Sequence, residues 1–357
     1  MEKKKAVVAM SGGVDSSVTA KILLDQGYEV IGLTGKMVNT ADIVVKNAQQ
    51  VADKLGIKLH VFDATKTFKE KVIDYFINEY KTGNTPNPCI MCNQFIKWGI
   101  LFDYAVETLN ADIFATGHYA DIRLIDGVYK LYPAKDEHKD QLYFLYRLGQ
   151  KQLSKTLFPL YHYEKSQVKQ MAIDFDLPPK DSKESQDICF IQKPATTKTF
   201  LTDNFGTQKG DFIDISTGKK FGEHSGCYQF TIGQRKGIGI AAPYPLYVID
   251  IDPVKNIVYV GKEEDTYKKT VKITNLNLSY NLTPNPSPKL GEGNCVEFEA
   301  WVKIRYNMPH KKAKVRIFDD YAEIEFEEPI NSVTNGQSGV IYDLNDKHLI
   351  GGGIIQN

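Results

Sequence analysis

The sequence SGGVDSS at residues 11–17 lies between an apolar run, AVVAM at 6–10, and a helix-like segment, VTAKILL at 18–24. A short apolar run of this kind is typical of a buried strand. A strand that turns through two glycines into a helix directs several backbone N–H groups and the positive end of the helix dipole towards one point. The sequence therefore predicts a phosphate-binding turn near residue 12.

The residue types in this turn narrow the class of phosphate site. A kinase-type phosphate loop has a lysine after its second glycine, whereas this turn has Asp15 and hydroxyl side chains. It resembles the pyrophosphate loop of the ATP pyrophosphatases, which split ATP between its first and second phosphates and activate a carbonyl as an adenylate. A glycine turn without a ligand is the alternative, but the order strand, loop and helix favours bound ATP.

Strand-like and helix-like segments alternate in the first third of the chain. Strands are predicted at 6–10, 30–34, 58–64 and 112–117, and helices with an apolar stripe at 41–55 and 68–80. This alternation predicts an α/β domain whose parallel sheet is covered on both faces. Its ligand crevice should lie at the carboxyl ends of the strands, where the SGGVDSS turn and Gly117 both fall.

The rest of the chain predicts a helical appendage and two small, mainly antiparallel β domains. A helical pattern without strands covers 142–177, and a polar connector follows at 178–187. The strands of a central β domain are predicted at 229–232, 247–252 and 257–260. After a proline-rich linker at 280–294, the strands of a C-terminal β-barrel are predicted at 296–304, 312–318 and 321–326. The domains are placed at 1–195, 196–270 and 271–357.

Composition limits the class of protein and of partner. A chain of 357 residues with 42% hydrophobic and 11% aromatic residues is a globular protein of two or three domains. No apolar run could cross a bilayer and no export signal is present, so we expect a cytoplasmic protein without a membrane partner. Basic and acidic residues balance at 44 each, so any nucleic-acid contact must come from local clusters.

One such cluster lies at residues 302–316, beside Trp301 and Tyr306. Its basic residues, with no acid between them, are Lys303, Arg305, Lys311, Lys312, Lys314 and Arg316. This pattern predicts a nucleic-acid contact, and a solvated pair of strands is the alternative.

The five cysteines, at 89, 92, 189, 227 and 295, are expected to be thiols. Cys89 and Cys92 lie in TPNPCIMCN at 85–93, where Asn93 is a plausible cap for a helix over 95–109. Cys92 would then lie just outside a helix N-terminus, which lowers a thiol pKa. Half of a zinc site is the alternative, but a second closely spaced pair is missing. Cys189, in SQDICFI at 185–191, is by itself best interpreted as a buried apolar residue.

Taken together, the motifs resemble those of the tRNA-specific 2-thiouridylases nearly from end to end. They are SGGVDSS at 11–17, ATGHY at 115–119, KDQ at 139–141 before YFLY at 143–146, DICFI at 187–191, TIGQRKG at 231–237, GQ at 336–337 and GGGII at 351–355. The resemblance implies an adenine-nucleotide alpha-hydrolase-like first domain. It also implies ATP-dependent 2-thiolation of the wobble uridine of tRNA, of the Lys, Glu and Gln types, with release of AMP and pyrophosphate.

The resemblance also implies roles for individual residues. ATP would lie on Ala9, Met10, Ser11, Gly12, Gly13, Val14, Asp15, Ser16, Gly35 and Gly117, with Mg²⁺ on the phosphates and Asp15 a candidate ligand. Cys189 would receive sulfur from an upstream persulfide carrier, and Cys92 would release it, leaving a Cys92–Cys189 disulfide. The target base would contact Asn87, Pro88 and Cys89. The tRNA would contact His118, Lys139, Asp140, Gln141, Arg305, Tyr306 and Gln337.

The chain departs from the family pattern at two places. Cys89 stands where many members have aspartate, so Cys89, Cys92 and Cys189 could alternatively hold a [4Fe–4S] cluster. Gly35 stands where a larger apolar residue is common, which leaves only backbone contacts to adenine there. Two other functions are considered: an ATP pyrophosphatase acting on a small amide or carboxylate, and a tRNA-binding protein without catalysis. The paired cysteines and the β domains argue against the first, and the intact SGGVDSS turn, Cys92 and Cys189 against the second.

Overall fold

The computed structural model describes residues 3–38, 42–178, 188–280, 290–291 and 295–356. Most of the predicted connector at 178–187 and of the predicted linker at 280–294 lies outside the described residues. None of the described helices is both long enough and apolar enough to span a bilayer.

The predicted parallel sheet is confirmed. Its first four strands are β1 (Lys5–Ala9), β2 (Glu29–Lys36), β3 (Lys58–Asp63) and β4 (Ile113–Ala115). A hairpin of β5 (Asp121–Ile125) and β6 (Val128–Tyr132), which sequence analysis missed, follows β4. A two-residue strand, β7 (Thr156–Leu157), completes the order β3-β2-β1-β4-β7. Ala6, Val7 and Val8 of the central strand are fully buried, as expected of a sheet covered on both faces.

The helices of the first domain cover both faces of this sheet. The first two are α1 (Val14–Asp25) and α2 (Asp42–Leu55). A continuous helical run follows, made of α3 (Thr65–Phe68), a π-helical segment (Lys69–Ile73) and α4 (Asp74–Lys81). The remaining helical elements are α5 (Pro88–Met91), two π-helical segments (Cys92–Leu101 and Tyr104–Thr108), a 3₁₀ turn (Leu142–Phe144), α6 (Gln150–Leu153) and α7 (Lys165–Asp174). The prediction that 142–177 holds helices alone is wrong, because β7 pairs with β4 in the middle of that stretch.

The central β domain begins with α8 (Thr197–Phe205). Its sheet has the order β10-β11-β8-β9, formed by β8 (Gly210–Asp214), β9 (Lys220–His224), β10 (Tyr247–Asp252) and β11 (Ile257–Gly261). The β8–β11 pairing is parallel and the other two are antiparallel. The strand predicted at 229–232 is wrong: Cys227–Gln229 is a 3₁₀ turn, and the Gln234 N–H closes the next turn on the Thr231 carbonyl at 2.9 Å.

The predicted C-terminal barrel is confirmed. A short 3₁₀ turn (Glu263–Thr266) leads into β12 (Tyr267–Leu278), β13 (Leu290–Gly291), β14 (Cys295–Lys303), β15 (Lys311–Ile317), β16 (Tyr321–Asn331), β17 (Ser338–Tyr342) and β18 (Leu349–Ile355). The strand order is β14-β15-β16-β12-β18-β17, and pairing of β17 with β14 closes six strands into a barrel. Gly351 in β18 permits close packing, since a Cβ there would lie 2.3 Å from the Asn277 carbonyl oxygen.

The barrel packs directly on the first domain. The Tyr143 hydroxyl donates to the Ser338 carbonyl at 3.0 Å, and the Tyr146 hydroxyl pairs with the Ser338 hydroxyl at 3.0 Å. Val340 and Tyr342 of β17 belong to the same buried cluster as the apolar side chains of the first domain. The predicted domain bounds themselves stay a prediction.

Candidate active site

The SGGVDSS turn connects β1 to α1 as predicted. Gly12 has a φ of +73°, and a Cβ on it would lie 2.6 Å from the Asn47 Cβ, so the turn requires glycine there. Gly13 is the N-cap of α1, and its carbonyl accepts a hydrogen bond from the Ser17 hydroxyl at 2.8 Å. The turn therefore presents the start of α1 at the carboxyl edge of the sheet, as an anion site requires.

Gly117 and Gly35 lie near the same edge. A Cβ on Gly117 would lie 2.8 Å from the Asp15 carbonyl carbon and 2.9 Å from the Ser16 nitrogen, so the end of β4 packs tightly against the first turn of α1. Gly35, in β2, packs against the Leu101 side chain, with 3.3 Å between the Leu101 Cδ1 and a Cβ built on Gly35. The structure thus brings together residues that sequence analysis placed around ATP, although they come from three separate strands.

Asp15 has partners that sequence analysis missed. The Lys165 Nζ lies 2.7 Å from both carboxylate oxygens of Asp15, and the Tyr119 hydroxyl donates to one of them at 3.1 Å. Lys165 is buried in the first turn of α7, 150 residues from Asp15 in sequence. A buried cation at a phosphate turn is a group that can bind pyrophosphate oxygens. No local motif marks Lys165, which is why only the fold could identify it.

The helix that carries Cys89 and Cys92 begins earlier than predicted. Its N-cap is Asn87, whose side chain accepts a hydrogen bond from the Cys89 N–H at 3.1 Å, and Pro88 occupies the first helical position. Asn93 is therefore not a cap; its buried amide donates instead to the Phe144 carbonyl at 2.9 Å. Cys92 lies inside the helix and not before it.

This placement overturns the prediction that Cys92 has a lowered pKa. Burial raises the pKa of the Cys92 thiol to about 12, and the nearby Cys189 and Cys89 thiols add to the rise. Desolvation also raises the pKa of Cys89 and of Cys189, although parts of both residues are exposed. Lys97 is the cation that acts against these shifts at all three thiols. In this conformation the thiols are protonated at neutral pH.

Cys92 and Cys189 are 97 positions apart in sequence, but Phe190, next to Cys189, packs against the buried cluster that contains Cys92. The Phe190 ring packs against the rings of Phe68 and Phe76, with centroids 5.9 and 5.3 Å apart, and this contact holds the Cys189 segment beside the Cys92 helix. All five cysteines are free thiols. The first part of the SQDICFI motif, residues 185–187, lies outside the described residues.

The burial of Cys92 predicts that this thiol is alkylated more slowly than Cys89 and Cys189. With iodoacetamide at pH 8, we expect alkylation of the native protein to be fastest at Cys189 and Cys89 and slowest at Cys92, because Cys92 is the least exposed and its pKa is about 12. Peptide mass spectrometry over a time course measures the three rates. In 6 M guanidinium chloride the three rates should converge, and equal rates in the native protein would contradict the placement of Cys92.

The residues predicted to contact tRNA differ in burial and in the protein groups that they bind. His118 is buried between the Trp98 and Phe158 rings, its Nδ1 lies 2.7 Å from the Thr116 hydroxyl, and burial holds its pKa well below its usual range. A direct contact of this ring with RNA therefore does not fit the structure. The His118 Nε2 lies 3.3 Å from the Lys97 Nζ, so the ring positions the cation of the thiol cluster instead.

Arg305 and Gln337 hold protein groups. The Arg305 guanidinium donates to the Ile232 carbonyl at 3.0 Å and also binds the Ser332 carbonyl and the Thr334 hydroxyl. The Gln337 amide donates to the Thr85 carbonyl at 2.7 Å. Arg305 joins the barrel to the central β domain, and Gln337 joins the barrel to the segment before the Cys92 helix. The groups that bind these protein partners are therefore not free to bind RNA.

The KDQ segment and Tyr306 lie together next to this junction. Burial raises the pKa of Asp140 to about 7, and the Gln141 side-chain oxygen accepts from the Tyr119 N–H at 3.0 Å. The Tyr306 ring packs on Phe144 with centroids 4.5 Å apart. Lys139 is half-buried beside them.

Three of the six cations in the basic run at 302–316 are paired with acidic side chains on neighbouring strands. Lys312 pairs with Glu299 and Glu327, Lys314 with Glu297, and Arg316 with Glu297, Glu323 and Glu325. The acids that cancel this charge come from β14 and β16, which flank β15 in the sheet. The alternative interpretation, a solvated pair of strands, is therefore the better description of residues 312–316.

Among the described residues, one group has ligand atoms close enough for a single metal ion: Asp343, Asp346 and His348. Both ring nitrogens of His348 are already used, since Nδ1 lies 2.6 Å from Asp346 and Nε2 lies 2.6 Å from the Tyr280 hydroxyl. We therefore interpret this group as the hydrogen bonding of a turn. Cys89, Cys92 and Cys189 do not form such a group, so a shared zinc ion does not fit them.

Three family models match the chain in succession. They are the tRNA methyl transferase HUP domain at residues 4–193, the tRNA methyl transferase PRC-barrel domain at 198–262 and the aminomethyltransferase beta-barrel domain at 254–355.

Curated relatives match the whole chain. The chain is 41% identical over 368 residues to the tRNA-specific 2-thiouridylase MnmA of Halothermothrix orenii, with 99% of each chain covered. It is 40% identical over 359 residues to the MnmA of Microcystis aeruginosa, with 98% of each covered. Among solved structures, the U34-tRNA thiolase NcsA from Methanococcus maripaludis with its [4Fe-4S] cluster aligns over 57% of this chain and 64% of that chain, with 18% identity and a TM-score of 0.37. That structural likeness is too weak to bear on the site.

Proposed function

The chain belongs to the tRNA-specific 2-thiouridylase family and is an ATP-dependent tRNA uridine 2-sulfurtransferase, and we propose that Cys92 and Cys189 carry its sulfur transfer to the wobble uridine. The observation that supports this proposal is the packing of Phe190, the residue next to Cys189, against the buried cluster that contains Cys92. The assignments of ATP-binding residues, target-base contacts and tRNA contacts other than His118 are part of the same proposal.

The first step activates the uracil. Its 2-oxygen attacks the α-phosphorus of ATP, a new P–O bond forms, and pyrophosphate leaves, so the oxygen becomes part of a leaving group. The helix start at residues 12–16 and the Lys165 cation stabilise the charge on the departing pyrophosphate. Mg²⁺ would supply further charge neutralisation on the phosphates, with Asp15 as a candidate ligand once ATP separates it from Lys165.

The second step replaces the activated oxygen by sulfur. A carrier persulfide first leaves its outer sulfur on Cys189 as a new persulfide. That sulfur forms a bond to carbon 2 as AMP departs, and Cys92 attacks the Cys189 Sγ, which breaks the sulfur–sulfur bond and leaves 2-thiouridine with a Cys92–Cys189 disulfide. The two thiols have then lost two electrons, which a dithiol reductant returns. Because Cys92 is protonated at rest, its proton must leave first, and Lys97 favours the resulting thiolate.

A [4Fe–4S]-dependent version of the same reaction is the second candidate, and the position of a third thiol, Cys89, one helical turn before Cys92 supports it. Cys89 and Cys92 lie one helical turn apart, and with Cys189 they offer three thiol ligands, a number that suits a cluster with one open iron. When bound, a cluster would supply an iron that binds the sulfur. The chain's own residues would still bind ATP and position the uridine.

Two finer points also belong to this proposal. The substrate is expected to be tRNA of the Lys, Glu and Gln types, whose wobble uridine is easily extruded from an anticodon loop. The sulfur is expected to come from a separate persulfide carrier in the cytoplasm.

The test is direct. The protein is incubated with ATP, Mg²⁺, a persulfide donor and unmodified tRNA, the RNA is digested, and nucleosides are measured by mass spectrometry together with AMP and pyrophosphate. We expect 2-thiouridine with one AMP and one pyrophosphate per product, and no product when the wobble position is cytidine. Thiolation of that cytidine variant would contradict the assignment of the wobble base.

An anaerobic purification separates the two versions of the reaction. Iron and sulfide are measured on the protein before the assay. Activity of a colourless, iron-free protein would rule out the cluster hypothesis. Activity that depends on bound iron would mean that the cluster, and not a persulfide on Cys189, carries the sulfur.

A further inference from the structure

A glycine-rich turn at residues 233–239, here called the glycine turn, has no role in the reaction described above. Gly233, Gly237 and Gly239 have φ values of +84°, +80° and +74°, which other residues rarely adopt. The Gly233 N–H donates to the Val248 carbonyl at 2.8 Å, and the Val248 N–H donates to the Gln234 carbonyl at 2.9 Å. The main chain at the start of the glycine turn is therefore anchored to β10.

The glycine turn presents two cations. Arg235 and Lys236 are both exposed, and within the described part of the chain neither forms an ion pair. Lys312 and Lys314, in contrast, are paired with glutamates across the barrel. The sequence clusters six basic residues at 302–316, but the fold pairs several of them with glutamates and leaves Arg235 and Lys236 of the glycine turn without an ion pair among the described residues.

The glycine turn adjoins the segment proposed to touch the target base. The Thr231 hydroxyl lies 3.3 Å from the Thr85 hydroxyl, two residues before the helix cap Asn87. Arg305 binds the Ile232 carbonyl from the barrel side. An open groove of about 420 Å³, lined in part by Arg235, Tyr244 and Pro245, lies beside the glycine turn.

We propose that Arg235 and Lys236 bind phosphates of the RNA strand that flanks the target uridine, so that the glycine turn is a contact surface for the anticodon region. This inference rests on the proposed function. A uridine that reaches Cys89 must bring its neighbouring phosphates past the segment at 85–87, and the glycine turn is the cationic surface beside it. Arginine and lysine bind RNA phosphates without reading sequence, and glycines allow the main chain to approach a backbone closely.

The test measures binding rather than catalysis. The affinity of R235A/K236A for unmodified tRNA is measured by filter binding between 50 and 200 mM salt, without ATP or sulfur donor. We expect about a tenfold weaker Kd, equivalent to about 1.4 kcal/mol, and a slope of log affinity against log salt that is smaller by about 1.4, from two phosphates on a single strand.

A matched variant removes the same charge elsewhere. K312A/K314A also loses two cations, but these are paired with glutamates, so its Kd and salt slope should stay close to those of the native chain. Equal affinity and slope for R235A/K236A and K312A/K314A would overturn the proposal. The binding assay does not depend on thiolation, so the two proposals can fail separately. Failure of the proposed function would appear as an absence of 2-thiouridine from the native protein.

Discussion

Replacing Cys189 by serine is expected to abolish formation of 2-thiouridine while tRNA-dependent release of pyrophosphate from ATP continues. A serine hydroxyl cannot carry a persulfide, whereas adenylation uses the SGGVDSS turn and Lys165 and needs no thiol. C92S should also give no turnover, because the disulfide that releases the sulfur cannot form. Mass spectrometry of digested tRNA and a pyrophosphate assay measure the two steps separately.

The chain offers a control of the same chemistry. Cys295 is buried in the barrel, and C295S changes one thiol to a hydroxyl at a site away from the cysteine pair, so its thiolation should stay near the native level. Thiolation by both C189S and C92S at the native rate would refute the two-thiol assignment. Loss of pyrophosphate release in C189S would instead mean that this thiol takes part in activation.

Replacing Lys165 by methionine is expected to reduce pyrophosphate release by about 10²- to 10³-fold, the usual effect of removing one group that stabilises developing charge. The cation lies 2.7 Å from both oxygens of Asp15 at the start of α1, so its loss removes positive charge where pyrophosphate departs and leaves Asp15 without its counter-ion. The rate is measured under single-turnover conditions at saturating ATP and tRNA.

K169M is the matched control, since Lys169 lies one turn further along α7 and is exposed. It should release pyrophosphate at close to the native rate. K165R, which keeps the charge, should recover part of the activity. Circular dichroism on each variant separates loss of folding from loss of charge, and a folded K165M with native activity would contradict the role of Lys165.

The first domain and the barrel were predictable because their signals are local. Residues 11–17 carry glycine, hydroxyl and acidic side chains that suit a strand-to-helix phosphate turn, and period-2 alternation identified β14, β15 and β16. The errors also have local causes. Asn93 and Asn87 are both good helix caps, and only the contacts of Pro88 and of Phe144 decide that the helix begins at Asn87.

By itself, the sequence determined the parallel sheet, the phosphate turn and the family motifs, since each of these depends on residues within one turn or one strand. Only the tertiary structure decided which charges and thiols are available, because desolvation and ion pairing depend on neighbours far away in the chain. It buried Cys92 near the Cys189 segment, placed Lys165 against Asp15, and paired three cations of β15 with glutamates from β14 and β16. Basic residues of the barrel are therefore paired with glutamates, whereas those of the glycine turn form no ion pair among the described residues.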